Sequence, residues 1–292
     1  MTFLVAIALL AWGAFVTSIN AGLAVPDWPT SFNSYDPFNP WPEWWNITPV
    51  LAEHGHRLLG ALVGLFTVGL AIWTWRSDGR TWMIRLGFGA LAIVIAQGVL
   101  GGLRVIWVSL DLAIVHTVVA QLFFALLASM AIFVSETWRY AQHEPVEMSG
   151  LKQLRSIVWI APLAIFIQIV LGALLRHPGG GIDVLLASLH FGWAFVATIM
   201  VVILWTRVRA ALSESRVINQ FAFSMLGIVI IQVMLGLFAY FVLLDESGTI
   251  QPSNVQVIAN TAHMVIGALL FASTVTVGVL CTRIRTAVGT SG

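Results

Sequence analysis

Eight long apolar stretches constrain the fold of this chain more than any other feature of its sequence. They occupy residues 2–22, 49–73, 82–103, 111–134, 156–175, 183–205, 217–243 and 254–280. Each reaches or approaches the roughly 20 residues that a helix needs to cross about 30 Å of hydrocarbon. We therefore predict an all-α polytopic membrane protein with eight transmembrane helices. The first stretch lacks a basic N-terminal region, so we expect a retained helix rather than a signal peptide.

Composition and charge exclude several other classes of protein. Hydrophobic residues make up 59% of the chain and charged residues only 9%, whereas soluble domains carry about 25% charged residues. The 14 basic and 13 acidic residues leave a net charge of +1 with no basic stretch, which argues against nucleic-acid binding. The single cysteine, Cys281, excludes an internal disulfide and a thiolate metal cluster.

The positive charges predict the orientation in the membrane. With the N-terminus inside, only Arg57, Arg104 and Arg176 fall near outer helix ends. The inner loops and tail hold the other basic residues: Arg76, Arg80, Arg85, Arg139, Lys152, Arg155, Arg207, Arg209, Arg216, Arg283 and Arg285. Because inner loops are enriched in Lys and Arg, we predict that both termini are cytoplasmic.

The connections between the apolar stretches suggest two halves. Residues 1–134 form an N-terminal four-helix half, 135–155 a hydrophilic cytoplasmic linker, and 156–292 a C-terminal four-helix half. The longest outer loop, 23–48, holds five prolines and four tryptophans, so we expect no helix there. Its tryptophans are typical of anchors at the membrane–water interface, and a lid over an outer site is the alternative.

Two short patterns recur along the chain. Gln-x-x-Leu-Gly occurs at Gln97–Gly101, Gln168–Gly172 and Gln232–Gly236, near the outer ends of odd-numbered spans. All four even-numbered spans carry His, three residues, then Gly or Ala: His56–Gly60, His116–Ala120, His190–Ala194 and His263–Gly267. This recurrence predicts two repeated four-helix bundles.

The four repeated histidines are the candidate ligands. A histidine inside a membrane span is costly and indicates a functional site. Residues i and i+4 share a helix face, so each histidine has a gap beside it that suits a flat macrocycle. Paired histidines on facing helices of each half would ligate haem iron from both sides. Zinc is the competing ligand, but its sites favour closer clusters with Asp, Glu or Cys.

The depth and the neighbours of these histidines refine the prediction. All four lie near the outer leaflet, which favours chemistry at the outer face over electron transfer across the bilayer. Arg104 and Arg176 would pair with haem propionates or reach the interface as snorkelling side chains. His54, His143 and His177 fall outside the pattern, and we expect them to be surface polar residues.

A longer motif identifies a family resemblance. Glu53-His54-Gly55-His56-Arg57 fits Glu-x-x-His-Arg. Together with Gly22–Pro29, Gln97–Gly102 and the four histidines, it makes the chain resemble the heme A synthase family over essentially all eight spans. The resemblance implies oxidation of the C8 methyl group of haem O to the formyl group of haem A, for cytochrome oxidase assembly.

The resemblance also implies roles for individual residues. His56 and His116 would ligate the iron of the substrate haem, and His190 and His263 that of a haem b cofactor. Glu53 would act with His56 in catalysis, at the edge of the haem that reacts. The residues implied in binding the haem groups are Arg57, Arg104 and Arg176.

The chain departs from the family pattern at two places. Many relatives have a cysteine pair in the first outer loop, and this loop has none, which excludes thiol chemistry there. Relatives often carry an arginine at the outer end of the first helix, where this chain reads Phe15-Val16-Thr17-Ser18-Ile19-Asn20. A propionate contact from that helix is therefore not expected.

The remaining implications concern partners and alternatives. We expect a bacterial inner-membrane protein with its haem sites near the outer face, in contact with lipid and compatible with a homo-oligomer. Haem O synthase and cytochrome oxidase assembly factors are the implied protein partners. A di-haem b cytochrome that exchanges electrons with quinone and a haem chaperone or transporter are the alternatives. Glu53 favours the enzyme, although a charge at a helix start, paired with Arg57, would also explain it.

Overall fold

The computed structural model describes residues 1–141, 148–176, 183–245 and 252–284, which form helices joined by loops and one isolated β-bridge between Ser31 and Ser34. The helices are α1 Thr2–Ser18, α2 Glu43–Asn46, α3 Thr48–Ser77, α4 Thr81–Ile106, α5 Leu110–Phe133, α6 Glu136–Tyr140, α7 Met148–Ile157, α8 Ile160–Arg176, α9 Val184–Ala211, α10 Arg216–Asp245 and α11 Asn254–Arg283.

The helical membrane architecture predicted from the sequence is confirmed. Seven stretches of the described chain are helical, long and apolar enough to cross a membrane: α3, α4, α5, Lys152–Arg176, α9, the Arg216–Leu244 part of α10, and α11. The apolar helix α1 is shorter, with 17 residues. The prediction that it reaches residue 22 is wrong, because Asn20 adopts the left-handed conformation (φ 55°) that commonly follows a helix end.

Two connections contain more helix than the sequence predicted. The expectation of no helix in the 23–48 loop is wrong at α2, which begins directly after Pro42. Proline is tolerated there because the first helical residues need no intrahelical N–H bond. The linker 135–155 contains α6, at whose start the Ser135 hydroxyl caps the Trp138 N–H, and most of α7.

The chain folds into two compact units, each discontinuous in sequence. The first comprises Met1–Leu127 with Met234–Val265, and the second Ala128–Val233 with Ile266–Gly292. In the first unit α1 packs on α3 and α3 on α4, while in the second α8 and α7 pack on α9.

Small residues allow α1 and α3 to approach closely. Val16, Ala21 and Ala52 form a buried cluster, and the indole N–H of Trp12 donates to the Ala52 carbonyl at 2.8 Å. Small interfacial residues of this kind are typical of packed membrane helices. The cluster lies at the end of the first unit where α1 and α4 end and α3 and α5 begin, which we call the loop end.

Candidate functional site

A cavity of about 400 Å³ lies inside the first unit. It is lined by α1, α3, α4 and α5, by Trp28 from the outer loop and by Met264 from α11. Its volume is within the range of small-molecule sites, about 300–1,000 Å³. The apolar side chains Leu9, Leu10 and Phe124 form part of its wall.

Two of the four predicted ligands meet in this cavity. The rings of His56 on α3 and His116 on α5 have centroids 6.5 Å apart and planes at 81°. Both Nδ1 atoms are buried and have no hydrogen-bond partner among the described residues. Among the described residues, no cluster of three or more His, Cys, Asp or Glu side chains could hold a metal ion. The two histidines therefore have no third protein ligand of these types beside them.

A glycine of the preceding long helix lies against each of the four repeated histidine rings. A Cβ atom built on Gly13, Gly101, Gly172 or Gly236 would lie 2.9, 3.2, 3.0 or 2.8 Å from the ring Cε1 of the corresponding histidine. The contacts pair Gly13 with His56, Gly101 with His116, Gly172 with His190, and Gly236 with His263. A larger residue at these positions would crowd the ring, so the glycines leave room for the histidine side chains.

The glutamine of the Gln-x-x-Leu-Gly pattern binds the backbone beside the histidine. Gln97 Nε2 donates to the His116 carbonyl at 3.0 Å, and Gln168 Nε2 donates to the His190 carbonyl at the same distance. Gln168 Nε2 also lies 3.2 Å from each ring nitrogen of His190. Each hydrogen bond joins neighbouring helices at the level of the candidate ligand.

Glu53 lines the cavity from the first part of α3 and is buried, with 4% of its surface exposed. Its Oε1 accepts from Arg57 at 3.0 Å, as the i,i+4 spacing predicted. Its Oε2 accepts from the Val25 N–H of the outer loop at 2.9 Å. The carboxylate therefore connects the loop to α3 at the edge of the cavity.

The Arg57 side chain holds the outer loop mainly by binding main-chain carbonyl groups of the loop. The guanidinium donates to the carbonyl oxygens of Asp27 at 2.7 Å, Val25 at 3.0 Å and Thr30 at 3.2 Å. A longer contact of 3.4 Å reaches the Ser31 hydroxyl. Arg57 lines the cavity, but most of its N–H groups bind the loop.

The other two predicted haem-binding arginines differ in their surroundings. Arg104 lines the cavity and donates to the Gly22 carbonyl at 2.5 Å. A Cβ on Gly22 would collide with its guanidinium. Arg176, in the last turn of α8 in the second unit, forms no hydrogen bond or ion pair within the described part of the chain.

The expectation that His54 is a surface residue is wrong. His54 is buried, its Nε2 lies 2.7 Å from the Pro37 carbonyl oxygen and its Nδ1 3.2 Å from the Ser31 hydroxyl. These partners are 17 and 23 residues away in sequence, so only the folded loop reveals them. His143 and His177 lie outside the described residues.

The four loop tryptophans divide into two pairs. Trp28 lines the cavity and lies so close to Gly102 that a Cβ there would be 2.1 Å from its ring. Trp44 is buried and its ring centroid lies 5.0 Å from that of His54. Trp41 and Trp45 are exposed by 64% and 58%, whereas Trp28 forms part of the cavity wall.

Asp27 stabilises the turn that follows Trp28. Its carboxylate accepts from the Thr30 hydroxyl and from the N–H groups of Phe32 and Asn33, at 2.5, 2.7 and 2.8 Å. Burial opposes ionisation, but these hydrogen bonds outweigh it and lower the pKa of Asp27 below its ordinary value of 3.8.

Sequence reasoning missed one cavity residue, Gln121. Its side chain lines the cavity five residues after His116, is buried to 93%, and has an Oε1 atom without a partner among the described residues. The sequence does contain a signal for this residue: Gln121 is the one side-chain amide in its apolar span. A buried polar group needs a hydrogen-bond partner, so such an amide indicates a site.

The chain is similar to known proteins over part of its length. Residues 1–188 match a family model described as "Cytochrome oxidase assembly protein". A heme A synthase of Symbiobacterium thermophilum is 31% identical over 181 residues, which cover 60% of this chain and 57% of that protein. A heme A synthase of Lysinibacillus sphaericus is 30% identical over 172 residues, covering 58% of this chain and 53% of that protein. The chain thus spans about half the length of the relatives it matches.

Proposed function

The chain belongs to the cytochrome oxidase assembly protein family that its first 188 residues match, and from this membership we propose that it is a heme A synthase. In this proposal the protein oxidises the C8 methyl group of haem O to the formyl group of haem A. The matched residues include Glu53, His56, Arg57, Arg104 and His116, which line the cavity of the first unit. That cavity is the proposed substrate site.

The observation that carries the proposal is the pair of histidine rings. Two imidazoles that share one metal ion at about 2 Å from each nitrogen have ring centres about 6 Å apart. The His56 and His116 centroids are 6.5 Å apart, and their unpartnered Nδ1 atoms leave both rings uncommitted to other described residues. These two residues therefore fit a haem iron between α3 and α5.

The charged residues of the cavity support one orientation of the substrate. Arg104 and Arg57 lie at the loop end, and the wall farther from that end is mainly apolar. Carboxylates pair best with guanidinium groups, so the propionates of haem O point to the loop end. Arg104 is the main partner, and Arg57 acts largely by fixing the loop. The C8 methyl adjoins a propionate, so it lies at the level of Glu53.

Glu53 is the proposed proton acceptor for the oxidation. With water as the oxygen source, converting a methyl group into a formyl group releases four protons and four electrons; the electrons would leave to an external acceptor, and a carboxylate at the reacting edge would take up a proton. Glu53 is three residues from His56, on the same face of α3. Its ion pair with Arg57 and its hydrogen bond to Val25 hold the carboxylate in a fixed position.

We assign the haem b cofactor to His190 and His263 from the sequence pattern. Each ring lies against a glycine, and imidazole is a usual axial ligand of haem iron. When bound, haem b supplies single-electron transfer. Residues 1–188 of the family match do not include either histidine, so this assignment rests on the recurrence of the His pattern and needs its own test.

The topology belongs to the same proposal. Eight spans with both termini cytoplasmic place the loop end at the outer face of a bacterial inner membrane. Haem O synthase and cytochrome oxidase assembly factors are the proposed partners. A reporter that is active only in the cytoplasm, fused after Gly292, should give a signal. A signal at the same position from a second reporter, one that is active only in the periplasm, would instead place the cavity at the inner face.

Identification of the bound haem tests the function directly. The purified protein, produced in cells that make haem O, should yield haem A or hydroxylated haem O on extraction and mass analysis. The His116→Ala variant should yield neither, because it lacks one substrate ligand. Recovery of haem b alone from the unaltered protein would favour a di-haem cytochrome or a haem carrier instead.

A further inference from the structure

Two cavity-lining amides, Gln97 and Gln121, have an Oε1 atom that is buried without a partner among the described residues, and of the two only Gln97 makes a side-chain hydrogen bond there. Thr17 and Thr117 donate their hydroxyl groups to carbonyls of their own helices, and Gln97 donates to the His116 carbonyl. Gln121 Oε1 is buried without a partner in the described part of the chain. An unsatisfied buried amide costs free energy. A ligand with a group that hydrogen-bonds to this amide would therefore bind more tightly than one without it.

The position of Gln121 indicates which part of a ligand it meets. It follows His116 by five residues on α5, which places it about 8 Å farther from the loop end along the helix. The surrounding wall is apolar, with Phe123 and Phe124 nearby in the same helix. Glu53, Arg57 and Arg104 lie toward the opposite, loop end of the cavity.

The chemistry of haem O supplies a matching group. Its propionates occupy one edge of the macrocycle, and the opposite edge carries an isoprenoid chain whose first carbon bears a hydroxyl. Haem B has the same macrocycle with a vinyl group at that position and no hydroxyl. With the propionates at the arginines, the hydroxyl points away from the loop end, toward the level of Gln121.

We propose that Gln121 is a specificity-determining residue that hydrogen-bonds the hydroxyl group of the isoprenoid substituent and so distinguishes haem O from haem B. The inference rests on the proposed function and adds the feature by which the site selects its substrate. An amide donates and accepts, as a hydroxyl does. A site built around a substrate hydroxyl disfavours an analogue that lacks it, because its own polar group then stays unpaired.

The test compares two ligands on the full-length protein that retains its haem b. Haem O and haem B are titrated separately in detergent, and the Soret absorbance gives the two dissociation constants. We expect the unaltered protein to prefer haem O. In Gln121→Leu and Gln121→Met the ratio of the two constants should fall by about threefold to tenfold, the range for one neutral hydrogen bond.

The matched control is Ser129→Ala, which removes a buried polar group from the same helix outside the cavity lining. It should leave the ratio unchanged. An unchanged ratio in both Gln121 variants, or an equal loss of affinity for both haems, would overturn the proposal. Failure of the unaltered protein to bind haem O would instead refute the proposed function, so the two failures are distinguishable.

Discussion

The surroundings of His56 and His116 differ in chemical character from those of His190. The first pair lines a cavity together with the charged side chains of Glu53, Arg57 and Arg104. The ring of His190 lies beside a neutral partner, the Gln168 amide. Charged groups that converge on a cavity suit a site where protons move, whereas an amide partner suits the proposed haem b, which is only held and reduced. In the proposed function, the same His-and-Gly contact would thus serve two purposes according to its neighbours.

The largest expected effect comes from removing the charge on Glu53. Glu53→Gln keeps the size of the side chain but not the proton acceptor, so oxidation should fall by about 100-fold or more. Haem O or its hydroxylated form should accumulate in the purified protein, as measured by mass analysis of extracted haem. Glu136→Gln, at the exposed start of α6, is the control and should leave the product unchanged. Haem A production at the normal rate by Glu53→Gln would reduce Glu53 to a structural residue.

Replacing His190 tests the other side of the comparison. His190→Ala should remove one haem equivalent and its low-spin absorbance, because an axial ligand is lost, while haem O still binds at the first unit. His263→Ala should give the same result. Haem content per protein and the visible spectrum are the measurements. If both variants keep their full haem content and spectrum, the haem b assignment is wrong.

A smaller effect is expected from Arg104. Arg104→Leu removes a charge-assisted contact to a propionate, which should weaken haem O binding about tenfold. Arg104→Lys should retain part of the affinity, because it keeps the charge without the planar guanidinium. Titration of the Soret band measures both variants, with the exposed Arg216→Leu as control. If the three variants bind haem O as tightly as the unaltered protein, Arg104 does not contact a propionate. Its role would then be to hold the loop through its hydrogen bond to Gly22.

The smallest effect concerns the pH dependence of the outer loop. The pKa of Asp27 is lowered from 3.8 in the folded loop, so its stabilisation is complete above about pH 5 and is lost as the pH falls through the folded value. Protease cleavage within the loop should therefore accelerate at acidic pH. In the Asp27→Asn variant, the protease should cleave the loop slightly faster at neutral pH, and the rate should no longer depend on acid. A loop equally sensitive to acid in Asp27→Asn would exclude Asp27 as the responsible group.

The features that could be predicted from the sequence are those that depend on residue spacing along a single helix. The membrane spans follow from apolar length, and the Glu53–Arg57 ion pair follows from a separation of four residues. The contacts made by His54 and the contact of Gly13 with His56 join distant segments, so no local pattern contains them. The end of α1 was misplaced because apolar residues continue past Ser18, where Asn20 turns the chain.

The manner in which Arg57 binds the loop has a consequence for how this segment can change. Three of its acceptors are peptide carbonyls, at Val25, Asp27 and Thr30, and every residue type presents a carbonyl. Exposed side chains outside this contact and outside the turn held by Asp27 are therefore free to vary without loss of the loop conformation. Tyr35 is 80% exposed at the surface of the same loop. A cysteine introduced there for spectroscopic labelling should report on the loop while the cavity beneath keeps its shape.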